Sequence, residues 1–236
     1  MKALLFSAGL GTRLRPITND IPKALVPVNG KTLLQRNIEY LTSQGIDEIV
    51  INVHHFHQKV IDFLAENQNF GTKIIISDES AEVLETGGGL KKAEPYLNDA
   101  DFVVMNVDIL TNLNLVKMIE NHLDNNRSAT LAVTTRASTR VLLFDEDLQL
   151  CGWKNIKTNE TKISREKEKY YPMAFSGIHV VSPEIFQYLP STKHSIIQSY
   201  LELAKDHSII GYDHSEDIFV DVGKHDTLVK AIELFE

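Results

Sequence analysis

The chain has 236 residues, 43% hydrophobic and 24% charged, a composition that lets a globular protein bury most of its apolar surface without cross-links. Its formal net charge of −8, with no run of Lys or Arg, argues against DNA, RNA or an anionic membrane as partner, but leaves room for a small anion held by a few local cations. The lone Cys151 excludes an intramolecular disulfide and reads as a packed strand residue. No apolar run is long enough for a signal-peptide core or a membrane span, so a cytoplasmic protein is expected.

Lys2–Phe6 is a buried-strand run that ends in a glycine-rich loop. Leu33–Ser43 has apolar residues at helical spacing, stopped by Gly45. Glu48–Val53 predicts a strand, residues 60–66 a helix and residues 73–77 a third strand. A short helix is expected over 89–93, stopped near Pro95. Residues 102–107 predict a strand ending in Asp108, 113–123 a helix and Ala129–Thr134 a strand. This alternation implies an α/β protein with a mixed, mostly parallel sheet flanked by helices, its ligand lying beyond the carboxyl ends of the strands.

The second half changes character. Residues 141–157 read as a hairpin around Asp145-Glu146-Asp147, and the polar, charge-mixed stretch 158–169 as a mobile loop. A strand is expected at 174–181, helical patterns at Pro183–Tyr188 and 196–205, strands near 209–212 and 219–222, and a last helix at 226–235. There is no internal repeat, which argues against an appended hexapeptide β-helix.

The strongest signal is Ser7-Ala8-Gly9-Leu10-Gly11-Thr12-Arg13-Leu14-Arg15-Pro16, followed by Pro22-Lys23-Ala24-Leu25. Glycines after a first strand let backbone N–H groups approach phosphate oxygens, and Arg13 and Arg15 can add charge-assisted hydrogen bonds. Lys23 places a compact positive charge where negative charge develops on a phosphoryl group. It is not a Walker loop, since no G-K-[ST] follows. Nor is it a dinucleotide fingerprint, because Leu14 stands where the third glycine would be.

The pattern G-x-G-T-R-x-x-P with a downstream P-K-x-L resembles the signature of the sugar-phosphate nucleotidyltransferases, over essentially the whole chain. The resemblance implies a Rossmann-like catalytic domain spanning residues 1–236, with a nucleotide-binding half over about 1–134 and a sugar-phosphate half over about 135–236. It implies a nucleotide site at Ser7, Ala8, Gly9, Gly11, Thr12, Arg13, Lys23, Glu85, Thr86 and Gly87, with Arg13 and Lys23 acting at the reacting phosphates and the backbone of 6–9 facing the base.

Phosphoryl transfer needs positioning and charge neutralisation, usually with Mg2+ held by one or two carboxylates plus phosphates and water. Asp108 ends an apolar strand, and Asp221 stands in Phe219-Val220-Asp221-Val222-Gly223. Either could alone be a turn or capping residue. In the family that this chain resembles, N-G-D and [WF]-x-D-[VI]-G carry the metal ligands. Here Val107 replaces the central glycine of the first, and Lys224 stands after the second where many relatives have Thr. The implied reaction is in-line attack of a sugar 1-phosphate on the α-phosphorus, with pyrophosphate leaving.

Glu85-Thr86-Gly87-Gly88-Gly89 could form a turn and cap, or allow close backbone approach to a flat base. The string, with Phe175-Ser176-Gly177-Ile178, resembles the N-acetylmuramate 1-phosphate uridylyltransferases. That favours UTP as the nucleoside triphosphate, with mannose- or heptose-1-phosphate guanylyltransferases, and so GTP, as the alternative. Asn106 and Gly177 would then lie near the sugar phosphate, and Arg136, Arg140 and Trp153 are candidates for the sugar. A non-catalytic nucleotide-sugar regulator is the alternative of another class, and a phosphocholine enzyme is disfavoured because no aromatic cage is visible. His54-His55-Phe56-His57 lacks a second cluster to complete a tetrahedral metal site and reads as a solvated turn.

Overall fold

In the computed structural model, which describes residues 1–125 and 127–235, the chain alternates strands and helices through its first half. In order these are β1 (Lys2–Phe6), β2 (Pro27–Val28), β3 (Lys31–Thr32), α1 (Leu33–Ser43), β4 (Glu48–Val53), α2 (His57–Glu66), β5 (Lys73–Asp78), α3 (Glu85–Leu97), β6 (Phe102–Asn106), β7 (Ile109–Thr111), α4 (Leu115–Leu123) and β8 (Ala129–Thr134). There follow β9 (Arg140–Phe144), β10 (Leu150–Asn155), β11 (Thr161–Ile163), β12 (Tyr171–Val181), α5 (Ile196–Leu203), β13 (Ile209–Asp213), β14 (Phe219–Asp221) and α6 (His225–Leu234). Thr32 caps α1 by accepting from the Gln35 N–H, and Asn114 caps α4 by accepting from Lys117. Among the described residues no helix is long and apolar enough to cross a membrane.

The central sheet runs β11-β10-β9-β12-β6-β1-β4-β5, with β8 beside β12 and β13 beside β8. The strands from β6 to β5 are parallel, and β12 joins them antiparallel through β6. Parallel strands are buried on both faces, and β1 shows why its run is continuously apolar. Leu4 and Phe6 pack into a core under α3 and α5, while Ala3 and Leu5 pack into a second core under α1, α2 and α4. Their register aligns the carboxyl ends: Phe6 lies opposite Asn106 on one side and Asn52 on the other, and Asn52 lies opposite Ser77.

A third, smaller core joins Leu14, Val26, Val28, Leu33 and Leu110 to Val220, Val222, Leu228 and Ala231. It explains how a segment near the end of the chain reaches the first loop. Strand β14 makes only a three-residue antiparallel pairing with β7. Each fully buried aliphatic side chain adds about 1.5–3 kcal/mol, however, so Val222 and its neighbours hold that pairing in place.

Three expectations are corrected. Helix α3 begins at Glu85, four residues earlier than expected, and runs through Pro95, which gives up the one bond its N–H would make to the Lys91 carbonyl two residues before the helix ends. The glycine triplet is therefore helical and buried, not a turn. The stretch 158–169 is not a free loop: β11 pairs with β10, Ser164 donates to the Leu201 carbonyl (2.6 Å), Arg165 donates to the Ala204 and His207 carbonyls, and Lys167 pairs with Asp145 (3.0 Å). Strand β7 and the β2–β3 hairpin escape sequence reading because two or three residues carry too little pattern.

Candidate active site

A cleft of about 400 Å³ opens at the aligned carboxyl ends of the parallel strands. The glycine loop from Ala8 to Arg13 forms one wall. Lys23, Asn106, Val107, Asp108 and Gly223 form another, and Asn52, Glu79, Val83, Glu85 and Thr86 close the third.

The loop is built to present N–H groups. Asn52 Oδ1 accepts from the backbone of Ser7 (2.6 Å) and Ala8 (3.2 Å), fixing how the chain leaves β1. Among the described residues the N–H groups of Gly9, Leu10 and Gly11 meet no acceptor, so they remain available to an anion. A Cβ at Gly9 would meet nothing within 4 Å, so the space beside it is free for a ligand. Gly11 is required differently: its φ is +63°, and a Cβ there would come within 3.1 Å of both Lys23 and Thr18.

Lys23 is buried, and its ammonium forms an ion pair with Asp108. Asp108 and Asp221 are brought together by backbone: Asp221 lies opposite Ile109 across the β14–β7 pair, and the Val222 N–H donates to the Asp108 carbonyl (2.8 Å). Gly223 makes the approach possible, since a Cβ there would lie 2.8 Å from Asp221 Oδ1 and 2.9 Å from Arg13 Nη2. Burial, and then the Asp108 charge, push the Asp221 carboxyl above its ordinary range, while Lys23, Arg13 and Arg136 pull it back. Val107 fits where a glycine was expected: it is buried in the second core, and its N–H donates to the Phe6 carbonyl (3.0 Å).

Most residues singled out from sequence converge here: Ala8, Gly9, Gly11, Thr12, Arg13, Lys23, Glu85, Thr86, Asn106 and Asp108 all line the cleft. Ser7 is buried, with its N–H turned to Asn52. Gly87 does not line the cleft. It packs against His194, whose Nε2 would lie 2.2 Å from a Cβ at that position, and its N–H donates to the His194 carbonyl. Gly177 lies behind Asn106, whose Nδ2 would be 2.5 Å from a Gly177 Cβ. Of the sugar candidates, Arg136 is nearest the chemistry. It donates to the Phe175 carbonyl (2.7 Å), stacks over Phe219 (4.8 Å), and its charge is felt at Asp221. Arg140 and Trp153 lie on β9 and β10, outside the cleft wall, and Trp153 packs against the first core.

Sequence reading missed Asn52 and Glu79. Glu79 is almost wholly buried, accepts from Asn52 Nδ2 (2.8 Å) and the Leu84 N–H (3.3 Å), and has its pKa raised by burial. The available signal was a polar residue at the end of each otherwise apolar strand.

Two carboxylates suit Mg2+, which is characteristically bound by one or two protein carboxylates plus substrate phosphates. Lys23 pairs with only one of them, Asp108, and the charge of Asp108 adds to desolvation in raising the Asp221 pKa. Among the described residues no group of three or more His, Cys, Asp or Glu side chains forms a metal cage, and His54 instead bonds the Glu79 carbonyl (2.7 Å).

A glycine loop with unpaired N–H groups, a buried lysine and a carboxylate pair at the strand ends of an α/β sheet are groups that could hold phosphates, the arrangement expected of a nucleotide-binding class. The nucleotidyl transferase family model matches residues 2–236, and the chain belongs to that family. It is 32% identical to an N-acetylmuramate alpha-1-phosphate uridylyltransferase of Caulobacter vibrioides, over 89% of this chain and 86% of the relative. It is 29% identical to a D-glycero-alpha-D-manno-heptose 1-phosphate guanylyltransferase of Aneurinibacillus thermoaerophilus, over 98% and 96%. The crystal structure of HddC from Yersinia pseudotuberculosis complexed with GMP-PN superposes with a TM-score of 0.80 at 26% identity, over 100% of this chain and 99% of that one. Some relatives are longer: the chain spans about half of one UTP–glucose-1-phosphate uridylyltransferase.

Proposed function

We propose that this chain, acting as one catalytic domain over residues 1–236, transfers a nucleotidyl group from a nucleoside triphosphate to a sugar 1-phosphate and releases pyrophosphate. The observation that carries this reading is the convergence of unpaired loop N–H groups, Lys23, Asp108 and the segment bearing Asp221 on one cleft. A phosphate oxygen of the sugar attacks the α-phosphorus, the bond to the β-phosphate oxygen breaks, and that oxygen departs with the pyrophosphate. The attacking phosphate is already ionised, so no protein base is needed. The N–H groups of Gly9 to Gly11 hold the triphosphate, Arg13 and Lys23 balance charge on the reacting phosphates, and Asn106 with Gly177 borders the acceptor. Asp108 and Asp221 would hold Mg2+, which when bound supplies charge neutralisation at the phosphates.

UTP with N-acetylmuramate 1-phosphate is the favoured pair, placing the protein in cytoplasmic peptidoglycan recycling. The support is the Glu85–Gly89 string and the uridylyltransferase relative. A guanylyltransferase is the second reading, favoured by the end-to-end match to the heptose 1-phosphate guanylyltransferase and to the GMP-PN complex. A matrix of four triphosphates against N-acetylmuramate, mannose, heptose and glucose 1-phosphates, read by pyrophosphate release with Mg2+, tests both. UTP-dependent turnover with the muramate is expected. GTP-dependent turnover selects the second reading, and no turnover with any pair sinks the enzyme.

A further inference from the structure

The acceptor side of the cleft rests on a kinked strand. Along β12, Phe175 lies opposite Val133 of β8 and His179 opposite Leu131, so Ser176, Gly177 and Ile178 face the single residue Ala132. The excess forms a bulge where β12 changes partners, pairing with β9 over 171–173 and with β6 over 178–181. Gly177, at φ +73°, is pressed there against the Asn106 side chain. A bulge leaves the ladder locally unpaired and re-aims the chain, so its position must be set by something other than strand pairing.

His214 is in place to set it. Its imidazole is buried, and Nε2 lies 2.8 Å from the hydroxyl of Ser176, itself buried. Its backbone N–H donates to the Val133 carbonyl (3.0 Å), Nδ1 lies 3.8 Å from Asp217 Oδ2, and its ring meets the edge of Phe219 at 5.7 Å. Phe219 leads directly into Asp221. One imidazole therefore touches both the bulge beside Asn106 and the strand that delivers a carboxylate. None of the chemistry assigned above uses it.

We propose that His214, acting through Ser176, is a positioning residue for the sugar phosphate: it locks the β12 bulge and so fixes Gly177 and Asn106 at the acceptor side. The inference rests on the nucleotidyltransferase reading. Its test uses the full chain with whichever substrate pair the matrix identifies. His214→Ala and Ser176→Ala should each raise the acceptor KM about tenfold, as small misplacements do, and leave the triphosphate KM within about twofold. His214→Gln, whose amide can still reach the hydroxyl, should recover part of the loss. The double variant should be no worse than the worse single one, because both remove the same link. If both KM values rise together, if the two effects multiply, or if Tm falls with the acceptor KM unchanged, the imidazole is structural and the proposal fails. Should His214→Ala not fold, Ser176→Ala, which removes one oxygen, decides alone. Absence of wild-type turnover with every pair removes the underlying reading as well. Wild-type turnover with an unmoved acceptor KM in Ser176→Ala removes only this inference.

Discussion

The two halves of the sheet build their shares of the cleft by different means. In the first, the parallel strands β1, β4, β5 and β6 are aligned in register, and their last residues or the one or two that follow deliver the glycine loop, Asn52, Glu79 and Asp108. In the second, antiparallel strands run past the cleft, and a bulge, an arginine on a carbonyl and a three-residue strand supply what faces it. Parallel ends place chemistry by topology, whereas antiparallel edges place it through individual long-range contacts. Substitutions in the first half should therefore strike the chemical step, and those in the second should strike acceptor binding, except at Asp221, whose carboxylate is carried by β14 to the side of Asp108.

The largest test of that contrast is Lys23→Ala. Loss of a charge aimed at the reacting phosphates is expected to lower kcat by about 10²–10³. Asp108→Asn should act on kcat to a similar degree, with a steeper requirement for Mg2+. Lys23→Ala also leaves Asp108 without its ion pair beside Asp221, so its Tm should fall and recover on adding Mg2+, read by thermal unfolding with and without the ion. Lys23→Ala with unchanged turnover would remove the lysine from the mechanism. The counterpart in the second half is Arg136→Ala, expected to raise the acceptor KM about tenfold, the size of a charge-assisted contact, and to leave the triphosphate KM alone. A matched rise in the triphosphate KM would dissolve the division between the halves.

The same contrast decides what could be read from sequence. Gly9, Gly11, Arg13 and Lys23 sit in one local motif whose chemistry needs only short-range geometry, so their site was legible. Asp221 was legible only through family resemblance, because its placement depends on the third core and a pairing between residues more than a hundred positions apart. The bulge at Ser176–Gly177 appears only once the partners of β12 are known. Gly87 was assigned to the nucleotide site because glycines allow close backbone approach to a flat base, whereas here they serve tertiary packing: the glycines let α3 settle against Thr192, Lys193 and His194. Gly87→Ala is accordingly expected to cost about 1–3 kcal/mol of stability in urea unfolding, with the triphosphate KM of the folded protein little changed. A variant as stable as the wild type but with weakened triphosphate binding would restore Gly87 to the nucleotide site.

The smallest expected effect tests the carboxylate pair from the side of stability. Folding raises the Asp221 pKa above its ordinary 3.8, so the folded state holds that proton more tightly than the unfolded one. The stabilisation this gives is complete below the ordinary aspartate range and is lost as pH rises through the raised folded value. At pH 7.5 Asp221 is ionised beside Asp108 and weakens the fold. Asp221→Asn should therefore raise Tm only slightly, by about 1 °C or less at pH 7.5 in a chelator, because the exposed carboxylate is screened by solvent, while lowering turnover. The advantage should vanish on acidification below pH 3.8, where Asp221 is protonated in both states. Mg2+ should then stabilise the wild type and not the variant, because binding to the folded state alone adds stability by mass action. An Asp221→Asn variant less stable than wild type at pH 7.5 without Mg2+ would mean that attraction to Arg13, Arg136 and Lys23 outweighs burial and repulsion. The site would then be preorganised around its own cations, and a divalent ion would have to displace Lys23 from Asp108 before binding there.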